Sequence, residues 1–203
     1  MEFRGTNNER IQIVDIVDGV NCHLLHEFGP SELSLIWFKS DDNRIKIDTV
    51  EYVFNKNQII SLTEFHKVEP VRTNGVQLIK WNRDSYCIVD HDSEVSCKGI
   101  LYYGASTVPI ICPGPEEIEV LNTVVKMFLL EMKSNDNLQL EMLQMMLKRL
   151  LILCTRVYKS QNLQADTISN IDIIRSYNYF VEQHFKVKHT VAEYAELLHK
   201  SPK

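Results

Sequence analysis

Histidines and carboxylates are the side chains of this sequence best suited to acid–base or metal chemistry, and they gather in two places. His23 and His26 stand three residues apart, and His91 lies within Asp90-His91-Asp92-Ser93-Glu94. Such groups could ligate a divalent metal or form a carboxylate–imidazole pair for proton transfer. In a regular strand, residues i and i+3 point to opposite faces, so His23 and His26 cannot both enter one pocket from a single strand. Asp90–Glu94 reads more simply as a solvated turn. The sequence has no Gly-rich phosphate loop, no G-x-S-x-G elbow and no Cys/His pairing at a catalytic spacing. Its five cysteines, Cys22, Cys87, Cys97, Cys112 and Cys154, are odd in number and lack a C-x-x-C pair. That pattern argues against a disulfide framework and suits a reducing cytoplasm. We expect no enzyme and no cofactor; the alternative is a metal-dependent enzyme built on a β-barrel.

The elements that would position any site divide the 203 residues into a β-rich and an α-rich part. Apolar or β-branched runs bounded by turn residues predict strands at 11–17, 33–38, 50–54, 58–62, 76–81, 86–89, 99–103 and 108–112. Asn55-Lys56-Asn57 is expected to close a hairpin between the third and fourth of these. So many short strands in about a hundred residues predict a sandwich or small barrel, with a jelly roll preferred. Trp37, Phe54 and Trp81 are the candidate walls of a pocket inside it, although ordinary core packing is the reading that explains them better.

Pro113-Gly114-Pro115 ends the β pattern. Pro115-Glu116-Glu117 then starts a helix with two carboxylates at its positive end, which runs to about Lys133. A second helix, 138–159, is unusually apolar. Leu143, Leu147, Leu150, Cys154 and Val157 form one stripe at 3–4 spacing, and Met142, Met146 and Leu153 lie beside it. Two stripes call for two partners. We expect the first stripe to join two copies of the chain across a two-fold axis, while recognising that a helix buried in its own monomer has the same pattern. No apolar run approaches the ~20 residues of a membrane span, and the N-terminus is polar, so a cytoplasmic protein with no membrane partner is expected.

The formal charge of −5 is the wrong sign for binding nucleic acid over the whole surface. From residue 166 onward, Arg175, Lys186, Lys188, Lys200 and Lys203 only balance Asp166, Asp172, Glu182, Glu193 and Glu196. Ser169-Asn170-Ile171-Asp172 resembles a capping box for a helix carrying Ile173, Ile174, Tyr177, Phe180 and Val181. Thr190 can cap a further helix whose Val191, Tyr194, Ala195 and Leu198 share one face. Ser201-Pro202 then starts another helix.

This tail, from Phe180-Val-Glu-Gln-His-Phe185 through Thr190-Val-x-x-Tyr-Ala-x-x-Leu-x-x-Ser-Pro-Lys203, resembles the first half of the DNA-binding domain of AraC/XylS-type transcriptional regulators. The segment Leu147–Gln161 resembles the helix preceding that domain in Bacteroidetes-type members with a cupin-like sensor, where such helices commonly form the dimer interface. Metal-binding cupins typically carry a paired His-x-His, a following glutamate and a distant histidine, and that set is missing here. The resemblance implies an α+β chain in three parts. These are a cupin-like (jelly-roll) sensor barrel at 1–112, a dimerising helical hairpin at 113–165, and an incomplete helix-turn-helix at 166–203 whose recognition helix is absent. It implies a homodimer through the 138–159 helix, an unidentified small-molecule effector, and promoter DNA as a partner of the full-length protein only. A ligand-free dimerisation scaffold remains the second alternative.

Overall fold

A computed structural model describes residues 1–17, 20–29, 31–87, 101–102, 108–162, 173, 177, 180–181 and 184–201. Among these, nine strands form two antiparallel sheets and three α-helices follow. The strands are β1 (Glu2–Arg4), β2 (Arg10–Ile16), β3 (Glu32–Phe38), β4 (Asn43–Ile47), β5 (Val50–Phe54), β6 (Ile59–Thr63), β7 (Val68–Arg72), β8 (Val76–Asn82) and β9 (Ile110–Ile111). The larger sheet has the order β1-β2-β8-β3-β6-β9 and the smaller β5-β4-β7. The α+β class and the jelly-roll-like sandwich are as expected.

The apolar alternation of the central strands explains the layering, because successive residues point to opposite faces and both faces here are covered. Ile16, Val76, Phe38, Leu78, Ile36 and Ile60 face the small sheet's Ile45, Ile47, Phe54 and Val68. Phe38 and Phe54 stack there with ring centroids 4.2 Å apart. The alternate residues Ile11, Ile13, Leu33, Leu35, Trp37, Ile79 and Trp81 face the helices.

Helices α1 (Pro115–Glu131) and α2 (Gln139–Asn162) pack on that second face. Pro115 sits in the first turn of α1 with Glu116 and Glu117 beside it, as the sequence predicts. Gln139 closes the hairpin by donating from Nε2 to the carbonyls of Glu131 and Ser134. Leu121, Val124, Val125 and Phe128 of α1 and Leu143, Leu147, Leu150, Cys154 and Val157 of α2 join the sheet in one core. The change near residue 112 is therefore one of secondary structure, and the core continues across it.

Three expectations need correction. Asn55-Lys56-Asn57 does not close a hairpin: β5 pairs only with β4, and β6 pairs with β3 and β9, so the turn carries the chain from one sheet to the other. Asn57 adopts φ 70° there, and its N–H donates to the Phe38 carbonyl at 2.7 Å. The hairpin lies one step earlier, where Ile47 pairs with Val50 across Asp48-Thr49. Next, β1, β4 and β7 were not anticipated as strands. Lastly, Tyr86 and Cys87 are not in a strand, and the remainder of the expected strands 86–89 and 99–103 lies largely outside the described residues.

Candidate functional site

The inner face of the large sheet is apolar at one end and polar at the other. The backbone pairings set Gln12 beside Lys80, Lys80 beside Ser34 and Ser34 beside Leu62, with Glu32 beside Asn82 in the next row. By alternation these residues share a face with Val14, Leu78 and Ile36. The small sheet packs over the apolar end. Over the polar end lies the segment from Cys22 to Gly29, which begins as a 3-10 turn (Cys22–Leu25), and its Leu24, Leu25 and Phe28 pack against the sandwich core.

Lys80 pins this cover. Its side chain is 5% exposed, and Nζ lies 3.3 Å from the Glu32 carboxylate, which is itself 7% exposed. The ammonium also donates to the carbonyls of Leu24 and Glu27 and sits 4.6 Å from the centre of the Phe28 ring. Burial pushes the Lys80 amine below lysine's ordinary range, and the neighbouring Glu32 charge pulls it back. Glu32 in turn accepts from Gly29 N–H at 2.7 Å and from Arg10 Nη1 at 3.3 Å. Arg10 is held at its other side by Glu2, 2.7 Å from Nε. Gly29 fits because it has no Cβ, which would lie 3.2 Å from the Glu32 carboxyl carbon.

The expected pocket walls do not come together. Phe54 is in the core between the sheets, whereas Trp37 and Trp81 are on the outer face beneath the helices. The register explains this, since odd-numbered residues of β3 and β8 face the helices. Trp81 meets Tyr102 edge to face at 5.8 Å, and Lys39 Nζ stands 3.0 Å from the Trp37 ring centre. His23 lies within the 3-10 turn and His26 just after it; His91 and the carboxylates around it lie outside the described residues. Among the described residues no three His, Cys, Asp or Glu side chains are gathered as a metal site would need.

The expected dimer stripe needs the same kind of correction. Leu143, Leu147, Leu150, Cys154 and Val157 are between 0% and 8% exposed in the single chain, because the sheet and α1 already cover them. The face that α2 leaves open carries Met142, Met145, Arg149 and Arg156, with half-buried Ile152 among them and Leu138 just before the helix; Met145 is 59% exposed. These residues repeat at alternating spacings of four and three. Part of this face is a groove of about 440 Å³ lined by Met145, Lys148, Arg149, Ile152, Leu153 and Arg156.

In the tail, helix α3 (Val191–Leu197) starts as the sequence predicts. Thr190 Oγ1 accepts from Glu193 N–H and the Glu193 carboxylate accepts from Thr190 N–H, a reciprocal capping box. The Thr190 hydroxyl also donates to the Glu193 carboxylate at 2.7 Å, and with the His189 and Thr190 N–H groups it holds that carboxyl far down, at about 2. Tyr194 and Ala195 are buried, Leu198 is the C-cap, and Val191 is 73% exposed. Tyr194 stacks edge to face on Tyr177 at 5.6 Å and donates to the Lys188 carbonyl. Ser201 is exposed, and Pro202 lies outside the described residues.

No family model matches the chain, and no curated protein matches it. Its structure neighbours are AraC-like transcriptional regulators. One is the AraC-like transcriptional activator CuxR, with TM-score 0.42 and 7% identity over 96% of this chain; the match spans 66% of CuxR's length. ToxT from Vibrio cholerae bound to (E)-4-(8-methylnaphthalen-1-yl)but-3-enoic acid matches with TM-score 0.40 and 12% identity, over 95% of this chain and 72% of that one. ToxT with an unsaturated fatty acid bound gives TM-score 0.40 and 12% identity, over 99% and 72%.

Sequence reasoning missed Lys80, Glu32, Ser34 and Gln12 because each is one polar residue in a strand otherwise read as apolar. Only the register reveals that they are neighbours. The available signal was parity: Lys80 is an even-numbered residue of β8, on the face of Val76 and Leu78 and opposite that of Trp81.

Proposed function

We propose that residues 1–203 are the effector-sensing and dimerising part of a cytoplasmic DNA-binding transcriptional regulator of the AraC/XylS type. In this reading the sandwich (1–112) senses a small molecule, the hairpin (113–165) pairs two copies, and residues 166–203 begin the DNA-reading head. Helix α3 carries the reading. It is a short, one-sided helix fixed at its start by a reciprocal capping box, with a small buried Ala195 where a second helix can cross closely. Specific DNA binding belongs to the full-length protein, and residues 1–203 alone have no sequence preference.

The open stripe of α2 supports dimerisation and also an orientation. In a parallel pair, Arg149 and Arg156 would each face their own copies and repel. In an antiparallel pair centred near residue 147, Met145 faces Arg149, Met142 faces Ile152 and Leu138 faces Arg156, so each guanidinium lies over an apolar stem. The test replaces the tail from residue 163 with a DNA-binding head that represses a reporter only as a dimer. Repression that Met145→Lys and Ile152→Lys abolish is the expected result. A stable, soluble fusion that never represses refutes the dimerising role.

The ligand-free scaffold draws on one observation, that the apolar half of the sandwich interior is filled by fully buried side chains. Under that reading no small molecule changes the thermal stability of the sandwich.

A further inference from the structure

The cover over the polar half of the sandwich is held in an unusual way. A buried ammonium costs several kcal/mol of lost hydration unless it is fully paired. Lys80 gets one charged acceptor, Glu32, and two uncharged ones, the carbonyls of Leu24 and Glu27. Both carbonyls belong to the cover. Arg10 is already held between Glu2 and Glu32, so Lys80 is the cation whose pairing depends on where the cover sits.

The cover is flanked by two non-glycine residues in the left-handed region, Asn21 at φ 60° and Ser31 at φ 62°. Asparagine visits this region readily, whereas for serine it is uncommon and persists where the surroundings hold it. Gln12 and Ser34 stand on either side of Lys80 on the sheet and offer further hydrogen-bonding groups. With the cover lifted, two of the three ammonium N–H groups would face a recess floored by polar side chains.

We propose that this recess is the effector site and that the effector is a small carboxylate. Its two oxygens replace the Leu24 and Glu27 carbonyls on Lys80 and so release the Cys22–Gly29 cover. A carboxylate matches what the cover supplies, two acceptors on one ammonium, and adds a charge, which makes each hydrogen bond shorter and stronger. The acid is short. The apolar half beyond Lys80 is filled by Val14, Leu78, Ile36 and Ile60, so the space vacated by Leu24, Leu25 and Phe28 is what is left for its carbon chain.

The inference rests on the sensor reading, and the experiment separates the two. The 203-residue protein is mixed with millimolar butanoate or hexanoate, with the matching amides as neutral isosteres and dodecanoate as the long-chain control. Thermal midpoint, hydrogen exchange over residues 22–29 and sedimentation are recorded on the same samples. The short acids are expected to raise the midpoint and speed exchange in the cover, while the amides and dodecanoate do neither. Lys80→Met should weaken acid binding by about a hundredfold or more, the loss of two charge-assisted hydrogen bonds. Lys80→Gln serves if Lys80→Met does not fold, and the acid–amide comparison on the unaltered protein needs neither variant. Equal responses to acid and amide, a response that survives both Lys80 variants, or no response to any short acid overturns the proposal. A dimer that persists while the acids fail leaves the regulator reading standing; a chain that is monomeric throughout strikes that reading instead.

Discussion

The two faces of α2 make opposite predictions for substitutions only two residues apart. Leu147 is 0% exposed and packed among the sheet and α1. Truncating it to alanine removes buried methyl groups and leaves a cavity, at a cost of about 3 kcal/mol. For a chain of this size each kcal/mol lowers the thermal midpoint by about 2–4 °C, so Leu147→Ala should melt about 6–12 °C lower. Met145 is 59% exposed. Met145→Lys should change monomer stability by no more than about 0.5 kcal/mol, the usual range for surface sites. In the proposed antiparallel pair, however, it sets a new cation opposite Arg149 of the second copy. The assays are urea unfolding followed by fluorescence of the buried Trp37 and Trp81, and sedimentation velocity, all at one protein concentration because dimerisation itself adds stability. Leu147→Ala should remain dimeric while melting early, and Met145→Lys should be monomeric with a near-normal intrinsic fold. The reverse pattern, with a folded but monomeric Leu147→Ala and a dimeric Met145→Lys, would mean that the buried stripe is the interface after all.

Glu32→Gln should destabilise the fold by about 3 kcal/mol, because it leaves a buried ammonium short of the carboxylate it is paired with. Lys80→Met should cost less than about 1 kcal/mol, since Glu32 keeps Arg10 and the Gly29 N–H; urea titration of both variants tests the asymmetry. The Cys154 thiol is fully buried and pushed up to about 12. Its contribution to stability is therefore complete below the ordinary thiol value and lost as pH rises through 12. Iodoacetamide at pH 8 should label exposed Cys112 in the folded protein and reach Cys154 only after denaturation. Glu193 is held down at about 2, so its contribution to α3 is present above the ordinary glutamate value and lost as pH falls through 2. The helix should persist at pH 4 by NMR, and Thr190→Ala, which removes the hydroxyl that donates to that carboxylate, should move its acid loss to higher pH.

The strands with dense apolar runs, both hairpin helices and the α3 cap were legible in the sequence because their signals are local. Pro115 with two following glutamates and Thr190 with Glu193 specify helix starts without reference to anything distant. β4 and β7 were missed because Asn43-Arg-Ile-Lys-Ile47 and Val68-Glu-Pro-Val-Arg72 read as polar; the period-two placing of Ile45 and Ile47 was their only mark. The stripe expected to pair two copies lies under the sheet and α1 in the single chain, because the periodicity of a helix says which residues share a face and leaves open what covers it. Leu143–Val157 is the more apolar stripe, and for that reason the chain covers it itself. The polar cluster around Lys80 depends on register, which joins β2, β8 and β3 across most of the first eighty residues.

A sensor must also transmit, and a ligand shifts an equilibrium only by its differential affinity for two arrangements. The polar end of the sandwich reaches α2 through a short run of hydrogen bonds. Ser85, in the turn after β8, accepts from Arg10 N–H at 2.6 Å and donates to the Arg10 carbonyl at 2.9 Å. Its own carbonyl accepts from Gln144 Nε2 on α2 at 2.7 Å. Arg10 is the residue whose guanidinium shares Glu32 with Lys80. Gln144 stands one position before Met145 on the open stripe. A change in how Glu32 divides itself between Lys80 and Arg10 therefore arises two hydrogen-bonded residues away from the helix face proposed to pair two copies. The other end of the sandwich also has a polar link to α2, since Cys112 beside β9 exchanges hydrogen bonds with Gln161. That link meets α2 near its C-terminal end, beyond Arg156, whereas Gln144 meets it within the stretch that carries the open stripe, so the Lys80 end is the one whose link to α2 lies closest to the face proposed to pair two copies.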